Sequence, residues 1–387
     1  MIVAVTGMGV LTFSLIAPAL PDLADALEVS RGRIGLIQSA VAIPGIALAL
    51  FIGYLYDRKG RRFVAAMSLL IFGAAGLAGF FTRSFWPLVT VRALQGIGTS
   101  GILSLGVIVI GDLFPAGHSR RWALGINSAG LTMTGMVAPI VGGSLAQLDP
   151  FAPFLVFAVA IPMAALGWRR LPGTADDRPE PHPIRHIRGM TGHLRTRKRV
   201  ADFGGLLAFG SFALIVFAGL GFTTTPLYLE AEFGLEAAAR GGLQALLAVG
   251  STTASLSVAR AARRWGPRPV FNAGMVLIVA GFVGLGSAPN LVVAGASLLS
   301  LGMGFGLSFP LVQDFVTSAV PGAFRGAAVG AFVMSVRIGQ AVGPLLGSLA
   351  AENPGTRVSY AAGAAVTLVF LLMWQPARAL VRRATHE

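Results

Sequence analysis

Apolar runs of about 20 residues recur along the whole chain, each followed by a shorter polar segment and each long enough to cross the hydrocarbon layer of a bilayer. None shows the two-residue alternation of a membrane β-strand. A helix satisfies its own backbone in lipid, so the runs are predicted to be α-helices. Twelve spans result, at 2–20, 33–55, 63–81, 86–110, 122–146, 151–171, 203–226, 238–259, 270–288, 290–313, 326–350 and 356–377. The first begins at Met1 without a basic leader or a small-residue cleavage site, and is expected to be a retained span. A long hydrophilic stretch rich in Pro, His and Arg, 172–202, separates six spans from six. It reads as a cytoplasmic linker between an N-terminal bundle (1–171) and a C-terminal bundle (203–387). The expected fold class is an all-α membrane protein of 12 transmembrane helices in two pseudo-symmetric six-helix bundles.

Internal similarity supports that division. QGIGTSG at 95–101 matches LGMGFGL at 301–307, and DRKGRRFV at 57–64 matches RRWGPRPV at 263–270, both at an offset of 206. The pair Gly125 and Pro139 matches Gly330 and Pro344 at 205. Matches that share one spacing imply duplicated halves, an arrangement suited to rocking about a midplane site.

Composition agrees, with 55% of residues hydrophobic and 12% charged, too apolar for a soluble domain of this length. A net charge of +14 would suit nucleic acid only if the basic residues formed one patch, and they do not. Loops on one side hold 23 of the 30, nine of them between Arg169 and Arg199. The opposite loops hold Arg31, Arg33, Arg83, Arg240 and Arg357, while Arg92 and Arg337 fall within spans. Such a bias places both termini in the cytoplasm and the lipid bilayer, not nucleic acid, around the chain. With no cysteine, disulfides and thiolate metal sites are excluded. His182 and His186 sit four apart in the linker, but the flanking prolines favour solvated chain over a metal pair, so no metal or cofactor is expected.

Between spans two and three the chain reads GYLYDRKGRR at Gly53–Arg62. A glycine there permits close helix approach, and Asp57 with Arg58, Gly60, Arg61 and Arg62 can lock cytoplasmic helix ends together. A generic positive-inside loop would explain the basic residues but not their spacing. This decapeptide resembles the signature loop of the major facilitator superfamily, and the resemblance covers essentially the whole chain. It implies a secondary transporter working by alternating access, with this loop as a gate element. RALQGIG at 92–98 in span four is similar to the family's Arg-x-x-Gln-Gly motif, whose arginine is linked there to proton movement. An intramembrane arginine is costly and usually faces protein or a water-filled cavity, although Arg92 could also snorkel to the outer end. Span five carries Gly130, Gly135, Ala138, Pro139, Gly142 and Gly143, a small-residue face that resembles the motif of proton-coupled exporters. It departs from the family's Gly-Pro at Ala138-Pro139, whereas Gly343-Pro344 in span eleven keeps that pair. Helix packing alone would explain both.

Arg337 lies near the middle of span eleven, and no acid falls in the middle of any span. Asp22 and Asp25 lie just beyond span one, in a segment resembling the family's outer loop, while Asp112 and Asp314 lie near the cytoplasmic ends of spans four and ten. A buried site for a cation usually supplies a carboxylate, so a neutral or anionic substrate is favoured. Phe217, Phe222, Phe305 and Phe309 fall on spans that line the pore in the family's arrangement, and Gln95, Asn127, Gln244 and Gln340 could orient a ligand. Arginine does not titrate, so proton exchange would need Asp22, Asp25 or Asp112, with Arg92 acting on it.

The expected function is a proton-coupled exporter of a small, largely apolar neutral or anionic compound in the bacterial inner membrane, acting as a monomer. Two alternatives stay open: an uptake symporter or facilitator for an organic anion that pairs with Arg92 and Arg337, and a non-transporting sensor or scaffold. An enzyme is not expected, since no span carries a histidine or paired deep carboxylates. Nucleotide-driven pumping is excluded because no Gly-x-x-x-x-Gly-Lys-Ser/Thr occurs.

Overall fold

The structure, a computed structural model, describes residues 2–113, 118–170, 197–320 and 325–374. Among the described residues there is no strand. Helices α1 (Ile2–Ser14), α2 (Leu20–Ala26), α3 (Arg31–Lys59), α4 (Arg61–Phe81), α5 (Phe85–Leu113), α6 (His118–Ala146) and α7 (Ala160–Arg170) make up the first half. Helices α8 (Arg197–Leu214), α9 (Thr225–Phe233), α10 (Ala237–Trp265), α11 (Pro267–Ser287), α12 (Leu291–Ser318), α13 (Arg325–Ala350) and α14 (Thr356–Trp374) make up the second. A short 3-10 turn at Ala17–Ala19 and a widened π-helix at Ile215–Thr224 join helical pieces, and a 3-10 stretch at Ala152–Val159 runs into α7, so that helical segments stand at all twelve expected positions. Among the described residues nine helices are long and apolar enough to cross a membrane, and Thr356–Leu372 is a shorter apolar helix. Exposed Leu256, Val292, Phe81 and Leu372 show why water cannot be the solvent: such side chains need lipid around them.

The duplication extends to individual contacts. Helices α3 and α10 are each 29 residues long, and α4 and α11 each 21, all displaced by 206. Gly60 (φ 79, ψ 155) and Gly266 (φ 88, ψ 153), also 206 apart, open α4 and α11 in a backbone conformation essentially confined to glycine. In the first half a Cβ at Gly96 would come within 2.2 Å of the Val41 carbonyl oxygen, and in the second one at Gly302 would come within 2.0 Å of that of Leu247. Small residues let backbones touch where lipid offers no hydrophobic drive between helices. Gly60→Ala should therefore destabilise the protein by about 1–3 kcal/mol. Thermal unfolding of the purified variant, followed by tryptophan fluorescence, checks this.

The chain forms two compact units, Met1–Glu180 with Thr225–Ala245, and Pro181–Thr224 with Leu246–Glu387. The first unit thus includes a helical hairpin, α9 and the start of α10, that belongs in sequence to the second half. Its turn is made by Gly234 at φ 60, whose N–H donates to the Glu230 carbonyl at 2.8 Å.

Candidate substrate path and coupling residues

Arg92 is fully buried on α5. Pro18, in the 3-10 turn, lies just past the point where α1 ends at Ser14, and carbonyls near a helix end are open to donors from elsewhere. One of them, Thr12 O, accepts from Arg92 Nη2 at 2.7 Å. Nε donates to Ile37 O on α3 at 3.1 Å, and Nη1 to Gln95 Oε1 one turn along α5 at 2.6 Å. The rings of Phe154 and Phe157 lie 5.9 and 6.0 Å from the guanidinium. Three helices are therefore tied through one side chain, and all its acceptors are neutral. Arg92 does not snorkel, and Gln95 serves it rather than a cavity, although Gln95 Nε2 has no partner. Asn127 is likewise buried and occupied, its Oδ1 accepting from Thr6 Oγ1 at 2.7 Å.

The acids lie elsewhere. Asp22 on α2 forms an ion pair with Arg240 of α10, whose side chain is 1% exposed. Arg31 bridges Glu230 at 2.8 Å and Asp25 at 3.0 Å, and Asp25 is itself 69% exposed. The sequence places Arg31 and Arg240 in loops and does not single out Glu230, because their partners are up to 218 positions away and no local pattern joins them. In the signature loop Arg62 stacks over the Trp168 ring at 4.7 Å, Gly60 starts α4, and Arg58 is exposed. Gly53 lies within α3, the side chains of Asp57, Arg61 and Asp112 are outside what the structure describes, and so are His182 and His186. Among the described residues no group of His, Cys, Asp or Glu could hold a metal.

The small-residue faces work as close contacts. On α6 a Cβ at Gly142 would lie 1.8 Å from Leu15 O, and one at Gly143 would lie 2.3 Å from Ala237 O. The Pro139 carbonyl sits against Gly241, and Gly135 lies one turn earlier on the same helix. In the second unit Gly343, next to Pro344 on α13, packs against the π-helix at Ile215. The trough that Gly130 and Ala138 leave on α6 faces α1 and opens into an apolar cavity of about 560 Å³. Val3, Leu11 and Leu15 line it from α1, and Met133, Val137 and Val141 from α6. The sequence offers one signal for it, the small-residue face of span five, which resembles the exporter motif and which helix packing explains equally well.

In the second unit Phe217 stacks on Phe305 at 3.9 Å, and Phe305 on Phe309 at 4.8 Å. The three border an apolar cleft with Phe209, Val216 and Met275, so the expected phenylalanines do converge. Phe222 touches Phe217 edge-on at 5.2 Å. Gln244 is buried on α10, in the first unit. Arg337 is 5% exposed, and its Nη1 has no hydrogen-bond partner, nor has Oε1 of Gln340, three residues on along the same face of α13.

The sequence profile of the Major Facilitator Superfamily matches residues 2–339 and again 245–386. The chain belongs to the Major Facilitator Superfamily. The chain is 25% identical over 316 residues to the bacillibactin exporter of Bacillus subtilis (strain 168), covering 78% of this chain and 76% of that protein. To the multidrug efflux pump LfrA of Mycolicibacterium smegmatis (strain ATCC 700084 / mc(2)155) it is 28% identical over 352 residues, covering 76% and 68%. The fold is shared with the nucleoside transporter NupG, at a TM-score of 0.79 and 16% identity over 98% of each chain. It is shared also with the human organic anion transporter MFSD10, at 0.68 and 20% identity over 96% and 98%. This superfamily member is a multi-pass membrane transporter of small molecules and not an enzyme.

Proposed function

We propose that the protein exports small, largely apolar, neutral or anionic compounds from a bacterial cell across its inner membrane, by alternating access and in exchange for protons, as a monomer with cytoplasmic termini. The apolar cavity between α1 and α6 carries this reading. Its volume of about 560 Å³ lies within the range of small-molecule sites, about 300–1,000 Å³, and its lining offers no charge. The names of the exporters above support the direction. Asp22 is the acid the exchange would use, being the carboxylate held against a buried guanidinium.

Val137→Trp tests the site by filling the cavity from an exposed position on α6. Efflux of apolar neutral or anionic compounds from cells should fall about tenfold, the equivalent of about 1.4 kcal/mol of lost binding. The protein level should stay unchanged, and a protonophore should abolish the wild-type efflux. Unaltered efflux in Val137→Trp would move the site elsewhere, and accumulation on expression would reverse the direction.

One observation favours the second reading, uptake of an organic anion. Arg337 keeps a buried nitrogen without a partner, whereas each nitrogen of Arg92 already donates, to a carbonyl or to Gln95. Arg337→Gln should weaken handling of anionic but not neutral compounds. Equal loss for both would remove Arg337 from the site.

A further inference from the structure

The hairpin Thr225–Ala245 stands apart from the rest of its half of the sequence. It leaves the second unit at Thr224/Thr225, where the π-helix Ile215–Thr224 ends, and returns to it at Ala245/Leu246 within α10. Widened turns of this kind mark places where a helix can change its path. Its seat on the first unit combines two kinds of contact. One is steric, with the backbones at Gly143–Ala237 and Pro139–Gly241 touching through glycine. The other is electrostatic: Asp22 with Arg240, Arg31 with both Glu230 and Asp25, and Gln147 Nε2 donating to Glu236 at 2.6 Å.

The linked ion pairs set three carboxylates (Asp22, Asp25, Glu230) against two guanidiniums (Arg31, Arg240), an excess of one negative charge. One proton balances the cluster. The pair that a proton on Asp22 would dissolve is the one whose arginine is buried, 1% exposed, so loss of that partner falls on a charge water barely reaches. Arg31 bridging Glu230 is 32% exposed and partly screened, so the Asp22–Arg240 pair dominates the hold.

We propose that Arg240 is a positioning residue of the transport cycle: paired with charged Asp22, it clasps the Thr225–Ala245 hairpin to the first unit, and a proton on Asp22 opens the clasp. The proton adds to one Asp22 carboxylate oxygen, no other bond changes, and the clasp re-forms when that proton leaves. The groups facing Asp22 from the elements packed on it are Arg240 of α10, Glu230 of α9, Arg31 of α3 and Asp25 of its own helix, while Glu236, just before α10, is bonded to Gln147. The exchange of protons for substrate rests on the exporter reading; the clasp does not, and its test needs no substrate.

Because the chain has no cysteine, spin labels can be placed singly. Leu148→Cys and Ala239→Cys, both exposed and outside the contacts named above, put one label on each side of the contact, and pulsed electron paramagnetic resonance in lipid nanodiscs reads their separation at pH 8 and pH 5. The expected result is a short-distance population that dominates at pH 8 and gives way to a longer one at pH 5. Asp22→Asn, close in shape to the native residue, should show the longer population at both values, as should Arg240→Gln. The exchanged pair Asp22→Arg with Arg240→Asp should restore the short population at pH 8. If Asp22→Asn keeps the wild-type distances and pH response, or if pH does not move the wild type, the proposal falls. Distances that behave as expected in a protein that exports nothing would uphold the clasp and remove the exporter reading.

Discussion

Arg92→Met will abolish transport and sharply reduce the amount of folded protein. The substitution leaves Thr12 O, Ile37 O and Gln95 Oε1 without their donor in a site closed to water. Each orphaned acceptor costs about 1–3 kcal/mol. Against this stands relief of the burial cost of the charge itself, at most the cost of about 2.5–3.5 kcal/mol at a helix centre, since Arg92 is the eighth residue of α5. The three acceptors together outweigh that relief, and the loss of a tie between α1, α3 and α5 adds to it. Arg92→Lys should fall between, because an ammonium is a point charge that cannot span three acceptors on three helices. Thermal unfolding in detergent beside efflux in cells separates the roles. If Arg92→Met unfolds at the wild-type temperature and only transport is lost, the arginine acts on proton or substrate and is not a brace.

Gly142→Ala is the second large effect. The new Cβ would lie 1.8 Å from the Leu15 carbonyl oxygen and 2.8 Å from its carbon. Both are backbone atoms, so the clash cannot be relieved by a rotamer, and α1 must move away from α6. Overpacking of this kind costs about 1–3 kcal/mol or more, and here it also reshapes the apolar cavity that Leu15 lines. Transport should be lost even where folded protein survives. Gly242→Ala and Gly330→Ala, where a Cβ meets nothing within 4 Å, should transport normally. Efflux rates normalised to protein level check the series. Equal loss in all three variants would show that glycine content in general, and not this contact, limits function.

The residues that sequence reading singled out met different fates in space. Phe217, Phe305 and Phe309 do stack together, because apolar side chains facing one way on neighbouring helices have few alternatives. Gly60 was legible in the signature loop, and its repeat at Gly266 adopts the same backbone for the same reason, a helix start that only glycine can make. Arg92 was correctly marked as more than a surface charge, but it and Asp22 have separate partners, one set neutral and the other cationic. Gln95 and Asn127, expected to orient a ligand, already hold Arg92 and Thr6.

By itself the sequence determined the membrane as solvent, the helical class, the twelve positions and the doubling of the chain. Each follows from local quantities: the length of an apolar run, the period of a pattern, a spacing repeated at 206. Only the tertiary structure decided that 225–245 packs with the first unit, that Arg240 finds Asp22 from 218 residues away, and that an apolar cavity opens between α1 and α6. Those features depend on which helix faces meet, and helices that are apolar on nearly every side carry little amphipathic signal to say which face turns inward. In lipid the choice falls to small residues, kinks and a few buried polar partners, whose meaning appears only once two distant stretches of backbone touch.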